Sequence, residues 1–303
     1  MPAVGIPSLE QLRVLAAVAD TGSFSEAARR LGKAQSVVSY AIGNLEAQLG
    51  LTLFDRHPRG PLLTEAGRAI LGDARRISGI VEGLRARAGG LQQGLEATVS
   101  IVVDVMFPTA RLVAALEAFQ AAFPTVDLNL QIDAMGGVVR RVLDESSNLG
   151  VGGWMESDHI NRRQIGEVTL IPVAAPTHPL AMDPAGEAPR DHTQLVLTDP
   201  SGLSGTRQFG VLAARQWRLG DLGAKHALLR AGLGWGNMPE ALGRDELASG
   251  ALVRLTLPEG RGARYPIFLM TRADRTLGPA GSWLAAKLES SGCSEADTAG
   301  TGG

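Results

Sequence analysis

The chain has 303 residues, enough for two or more domains, with 45% hydrophobic residues and a formal charge of −2. One cysteine, Cys293, excludes a disulfide framework, and the five histidines at 57, 159, 178, 192 and 226 lack paired ligand spacing, so neither a metal nor another cofactor is expected. No apolar run approaches the roughly 20 residues that span a bilayer and the start lacks a signal-peptide pattern, which together predict a cytoplasmic protein without a membrane partner. The small net charge hides a split: residues 1–90 hold 11 Lys+Arg against 8 Asp+Glu, and the remainder holds 18 against 23.

The first helix is announced by Ser8 and Gln11, a capping-box pair, ahead of Leu9, Leu12, Leu15, Ala16 and Ala19 on one side. A second box, Ser23 with Glu26, precedes Phe24, Ala27, Ala28 and Leu31, and Gly32 stops this helix after barely two turns. A third helix carries Val38, Ile42, Leu45 and Leu49 on one face and Gln35, Ser36, Ser39, Tyr40 and Asn44 on the other, ending at Gly50. Three small helices joined by a tight turn, then a basic loop with Arg56 and Arg59, read as a winged helix-turn-helix that sets its third helix in the DNA major groove. Gln can pair with adenine through two hydrogen bonds and Ser with several base edges, so Gln35, Ser36 and Ser39 are candidate base readers, with Ser23 and Tyr40 beside them. Lys33, Arg56, Arg59 and Arg68 are candidate phosphate contacts, which add affinity without reading sequence.

Thr64 is placed to cap a long helix running to about Gly89. Its Ile70, Ala74, Ile77, Val81, Leu84 and Ala88 recur at spacings of four and three, a heptad seam that needs a partner helix. Gly89, Gly90 and Gly94 read as a hinge. From about Ala97 strands alternate with helices: TVSIVVDV, a helix through TARLVAALEAFQAAF, VDLNLQI, a helix in MGGVVRRVLDES, then NLGVGGW, LIPVAAPTHPLA, QLVLTD and ALVRLTL. That alternation predicts an α/β region with a mainly parallel sheet, to which YPIFLMTR returns near the end.

The run GSFSEAARRLGKAQSVVSYAIGNLEAQLGLTLFDR, with Leu63, Thr64, Ala66 and Gly67 after it, is similar to the DNA-binding domain of LysR-type transcriptional regulators. FPTVDLNL, PVAAPTHPLA and AGLGWGNMPEALGRDELASGALVRL resemble, less tightly, the effector-binding region of that family. One departure is Ala34, where the family often has a capping serine or threonine; losing such a cap costs on the order of 1 kcal/mol. The resemblance implies a winged helix-turn-helix over 1–63, a dimerising linker helix over 64–90, a hinge over 91–96 and an effector-binding domain over 97–290. That domain is expected as two subdomains of periplasmic-binding-protein type, 97–168 with 266–290 and 169–265, ahead of a disordered tail over 291–303. It also implies a homodimer or homotetramer on a pseudo-palindromic promoter site in double-stranded DNA, a small-molecule inducer, and RNA polymerase as a further partner.

In open α/β sheets ligands bind beyond the carboxyl ends of strands, where helix N-termini face a crevice. Four segments qualify, Asp104–Thr109, Asp133–Gly137, Asp199–Thr206 and Gly234–Asn237, with Asp104, Phe107, Met135, Ser201, Trp235 and Asn237 as candidate contacts. An ionised Asp104 would repel an anion, which favours a neutral or amine-bearing inducer, unless Asp104 only caps the next helix. An enzyme is not expected. GLGWG at 232–236 and GVGG at 150–153 lack the full dinucleotide fingerprint, no nucleophile elbow or Walker loop occurs, and Asp144 and Glu145 point different ways on a helix. A stand-alone binding module without DNA function is the alternative, disfavoured by the polar face of the third helix.

Overall fold

The computed structural model describes residues 5–57, 60–153, 156–184, 186–199, 201–203, 210–257 and 262–290. The chain divides into two compact units, Met1–Gly90 and Leu91–Gly303.

The first unit begins with α1 (Leu9–Thr21), α2 (Phe24–Leu31) and α3 (Gln35–Leu49). Ser8 and Gln11 form the complete capping box at the start of α1, whereas Ser23 caps α2 alone, because Glu26 turns to pair with Arg29. The apolar faces meet in one core: Leu15, Val18, Ala27, Val38 and Leu45 are fully buried, worth roughly 1.5–3 kcal/mol for each large aliphatic side chain. Gly22, Gly32 and Gly50 end the three helices in the left-handed conformation that glycine tolerates best. The hairpin β1 (Phe54–His57) and β2 (Gly60–Leu63) forms the wing. It is held by Glu46, whose Oε1 accepts from the backbone N–H groups of Leu53 at 2.6 Å and Phe54 at 3.2 Å, and by an edge-on contact of Phe24 with Phe54.

Helix α4 (Glu65–Gln92) follows, with Thr64 Oγ1 accepting from Gly67 N–H at 2.9 Å as its cap. Gly67 has no room for a side chain: a Cβ there would stand 2.1 Å from the carbonyl oxygen of Leu53. The helix runs on through Gly89 and Gly90, which the sequence reading assigned to a hinge. Helical hydrogen bonding outweighs the roughly 1 kcal/mol that each glycine costs. The chain turns at Gly94 instead, with φ +80°.

The second unit contains β3 (Thr98–Asp104), α5 (Thr109–Ala122), β4 (Asp127–Asp133), α6 (Gly136–Leu143), β5 (Leu149–Gly152), β6 (Ile160–Ala174), α7 (Pro179–Met182), a 3₁₀ turn at Pro189–Asp191, β7 (Gln194–Leu197) and β8 (Gln216–Leu219). It continues through α8 (Leu222–Arg230), β9 (Gly236–Pro239), α9 (Arg244–Ser249), β10 (Val253–Arg254), β11 (Ala263–Arg272) and α10 (Pro279–Ser290). Its sheet has the order β10-β6-β11-β5-β3-β4, with β9 also paired to β6.

The expected mainly parallel sheet is corrected. Within this sheet only β3 pairs in parallel among the described residues, with β4 and β5, while β11 runs antiparallel to β5 and β6, and β9 and β10 antiparallel to β6; β7 and β8 pair in parallel as a separate two-stranded sheet. The physical reason is the chain path: β6 and β11 are long strands running in opposite directions, and they pair along nearly their full length. ALVRLTL supplies only the two-residue β10, and QWRL and GNMP form strands that its length and alternation did not announce. As expected, YPIFLMTR joins the sheet of the first strands.

On one side of the sheet α5 and α10 bury Leu112, Ala115, Phe119, Leu284 and Leu288 against Ile101, Leu149 and Ile267. Separate cores lie beneath α6, around Val138 and Val142, and around β7, α8 and β9. Glu96, in the expected hinge, accepts from Ala280 and Gly281 N–H, each at 3.0 Å, and so ties the start of this unit to the first turn of α10.

Candidate DNA interface and effector crevice

The free end of α3 lies over its packed core as a polar surface. Gln35, Ser36, Ser39 and Tyr40 are all exposed, while Val38 and Ile42 between them are buried. A groove of about 360 Å³ separates this end of α3 from the hairpin, with Gln35, Ser39, Gly43 and His57 in its lining. Gln35 is already oriented: its Oε1 accepts from Ser25 Oγ on α2 at 3.0 Å. Ser25 was missed in the sequence reading because its role depends on how α2 crosses α3. Ala34 is the N-cap of α3 and makes no side-chain cap, with its backbone at φ −71° and ψ 146°, the geometry a capping serine would adopt. Ala34→Ser should therefore stabilise α3 by about 1 kcal/mol. Hydrogen exchange at the first-turn amides of α3 would register this, and unchanged protection would show that the end is satisfied some other way.

Of the expected phosphate contacts, Lys33 pairs with Glu10 at 2.9 Å and Arg68 donates to the carbonyl of Leu63 at 2.9 Å, both at the surface. Arg56 belongs to β1, and Arg59 lies outside the described residues. Ser23 serves as the cap of α2. Along α4 the expected seam divides: Ala74 is fully buried and Ile70 packs beside it in the helix-turn-helix core, whereas Ile77 and Leu84 stay exposed. Ile80 and Leu91, both exposed, lie on the same length of helix. Ala74 is thus an intradomain core residue, because the first turns of α4 close the three-helix core.

In the second unit a crevice of about 60 Å³ opens between the β3 and β4 loops and the β7–β9 layer. Met106, Met135, Leu170, Leu195 and Leu197 supply apolar wall, and Gln194, Lys225, Asn237 and Tyr265 supply polar groups. Gly210 comes close to Asn237, where an added Cβ would stand 2.8 Å from Nδ2.

Asp104 controls one wall. It is buried, and its carboxylate accepts from Met106 N–H at 2.8 Å, Met135 N–H at 3.1 Å, Gly153 N–H at 3.5 Å and Tyr265 Oη at 2.8 Å. Burial raises its pKa, against the lowering effect of those donors, and burial with the neighbouring Asp104 pushes the Tyr265 phenol well above its ordinary value. The anchor also holds Met135 at φ +50°, a conformation rare for a residue with a side chain.

Residues 9–68 match the model of the bacterial regulatory helix-turn-helix proteins of the lysR family, and residues 92–291 match that of the LysR substrate-binding domain. The chain belongs to the LysR family. It is 31% identical to the HTH-type transcriptional regulator AceR of Acinetobacter baumannii, over 78% of this chain and 80% of AceR. It is also 31% identical to the HTH-type transcriptional activator AllS of Klebsiella pneumoniae, over 80% of this chain and 93% of AllS. The fold is shared with full-length BenM, at TM-score 0.50 and 20% identity over 93% of this chain and 96% of BenM. It is shared too with a peroxide-bound Corynebacterium glutamicum OxyR variant, at TM-score 0.51 and 21% identity over 94% of each chain. This LysR-type protein is a transcriptional regulator with a DNA-binding and an effector-binding domain, and not an enzyme. Among the described residues no helix is long and apolar enough to cross a membrane.

Of the expected effector contacts in this LysR-type regulator, Met135 and Asn237 line the crevice. Trp235 and Phe107 are corrected to core residues. Trp235 is fully buried among Ala174, Leu180 and Leu255 with its Nε1–H donating to the carbonyl of Pro189 at 3.1 Å, and Phe107 packs into the core under β3. Large aromatic rings on short loops were drawn inward by apolar burial. Ser201 closes its own turn on Asp199, with Oγ to Oδ1 at 2.5 Å, and residues 204–209 beside it lie outside the described residues. Asp104 is not a helix cap either: α5 starts after Pro108, and the carboxylate joins three loops to Tyr265. Lys225 and Tyr265 were missed, since neither sits in a strand-end loop.

Proposed function

We propose that this regulator binds promoter DNA as a homodimer, or a tetramer of two dimers, paired along the exposed Ile77 and Leu84 and the half-buried Val81 of α4, and reads a pseudo-palindromic site with two copies of α3. The observation that carries this is the exposed Gln35 at the first turn of α3, held by Ser25 above the core that Val38, Ile42 and Leu45 help to fill. An effector enters the crevice between subdomains 97–168 with 266–290 and 169–265, and its unequal affinity for two arrangements shifts the spacing of the paired readers. The setting is the cytoplasm, with RNA polymerase as the downstream contact.

The test is fluorescence anisotropy of the full-length protein on DNA upstream of its own gene, across a salt series. Gln35→Ala should cost roughly 1–3 kcal/mol at one preferred base pair while leaving the salt slope intact. Arg56→Ala should weaken every sequence alike and reduce the slope by about one. Salt-insensitive binding, or equal loss of specificity in both variants, would remove this reading.

A further inference from the structure

Lys225, in the second turn of α8, has its side chain almost wholly buried at 3% exposure and reaches into the crevice. Its stem passes Gly236 so closely that a Cβ there would lie 3.3 Å from Cε, and Nζ donates to the carbonyl oxygen of Asn237 at 2.6 Å. Of its three N–H donors, that is the engagement found among the described residues. No carboxylate among them forms an ion pair with it. Asp221, one turn earlier, caps α8 through Ala224 N–H at 2.6 Å, and the Asp104 carboxylate already serves three backbone N–H groups and Tyr265. Burial alone moves the ammonium pKa from 10.5 to about 8, so at neutral pH the charge remains, desolvated and without a counter-ion.

An isolated buried charge is costly until an opposite charge meets it. A neutral effector would leave that cost in place, and an amine would add repulsion. We propose that the effector is a carboxylate, that its charged end sits against Lys225, and that its apolar part lies along Met106, Met135 and Leu170. This rests on the crevice being the effector site. A single ammonium balances a single negative charge, and among the described residues the largely apolar crevice offers no cluster of cations for a phosphate. The proposal departs from the neutral or amine-bearing inducer expected from Asp104: that acid is engaged in holding the loops, and the unpaired charge among the described crevice residues is positive.

The test uses the full-length protein with linear monocarboxylates from acetate to octanoate and phenylacetate, each beside its primary amide of nearly equal shape. Thermal stability and titration calorimetry are read for the wild type, Lys225→Met, Lys225→Gln and the crevice-filling Met135→Trp. At least one carboxylate should bind and raise the melting temperature, its amide should not, and both Lys225 variants should lose roughly ten- to hundred-fold in affinity. Failure of every carboxylate to bind, equal binding of the amide, or affinity unchanged in both Lys225 variants would overturn the proposal. Binding weakened by Met135→Trp but not by either Lys225 variant would leave the crevice as the effector site and remove only the charge assignment. Binding untouched by all three variants would place the ligand elsewhere and remove the crevice reading itself.

Discussion

Asp104→Ala should destabilise the effector domain by about 3–5 kcal/mol, because removing one carboxylate leaves Met106, Met135 and Gly153 N–H and the Tyr265 hydroxyl without their acceptor. That is a large fraction of the roughly 5–15 kcal/mol that holds a domain together. Asp104→Asn should be milder, since one oxygen remains while the new NH₂ faces donors. All four tryptophans, at 154, 217, 235 and 283, lie beyond residue 90, so tryptophan fluorescence during urea unfolding reports this domain alone. The DNA-binding unit has its own core and should keep its midpoint by circular dichroism. A shift of under about 0.5 kcal/mol for Asp104→Ala, the scale of an ordinary surface substitution, would show that waters replace the lost acceptor without penalty. The same variant should release Met135 from its φ of +50° and so reshape one crevice wall.

Lys225→Met should act in the opposite direction and stabilise the ligand-free protein. Burial lowers the folded pKa from the ordinary lysine value of 10.5 to about 8, equivalent to roughly 3 kcal/mol of unfavourable charging, and loss of the bond to Asn237 returns about 1 kcal/mol. The net gain at pH 7 is thus about 2 kcal/mol. Its pH dependence has a definite sign. Below about pH 8 the lysine is charged in both folded and unfolded states, so the penalty is fully present. Between about 8 and 10.5 the unfolded chain holds the proton and the folded one does not, so wild-type stability rises with pH relative to the variant. Urea midpoints at pH 7, 9 and 10.5 should show the two proteins converging. A variant less stable than the wild type at pH 7 would mean that crevice water solvates the ammonium in the free protein.

Much of the DNA-binding unit was legible from the sequence because its signals are local. Ser8 with Gln11, Gly22, Gly32 and Gly50, and the spacing of Val38, Ile42 and Leu45 each act within one or two helical turns. The unfilled cap at Ala34 is of the same kind: a missing side-chain oxygen is visible before any folding. The strands of the second unit were readable as apolar runs, but their directions were not, since a run of Val, Leu and Ile carries no sign of which neighbour it will pair with. The glycines at 89 and 90 misled for a related reason: propensity is a weak local term, and a long helix can absorb it.

The effector crevice depended on contacts far apart in the chain. Asp104 and Tyr265 meet across 161 residues, and nothing near either one announces the other. Trp235 and Phe107 looked like ligand platforms in their loops, and packing made them core. By itself the sequence determined the helices, their caps and the polar face of α3, because those follow from hydrogen bonds and spacing along one short stretch. Only the tertiary structure decided which charge faces the crevice, because whether Asp104 or Lys225 is left without a partner depends on what every other loop brings to it.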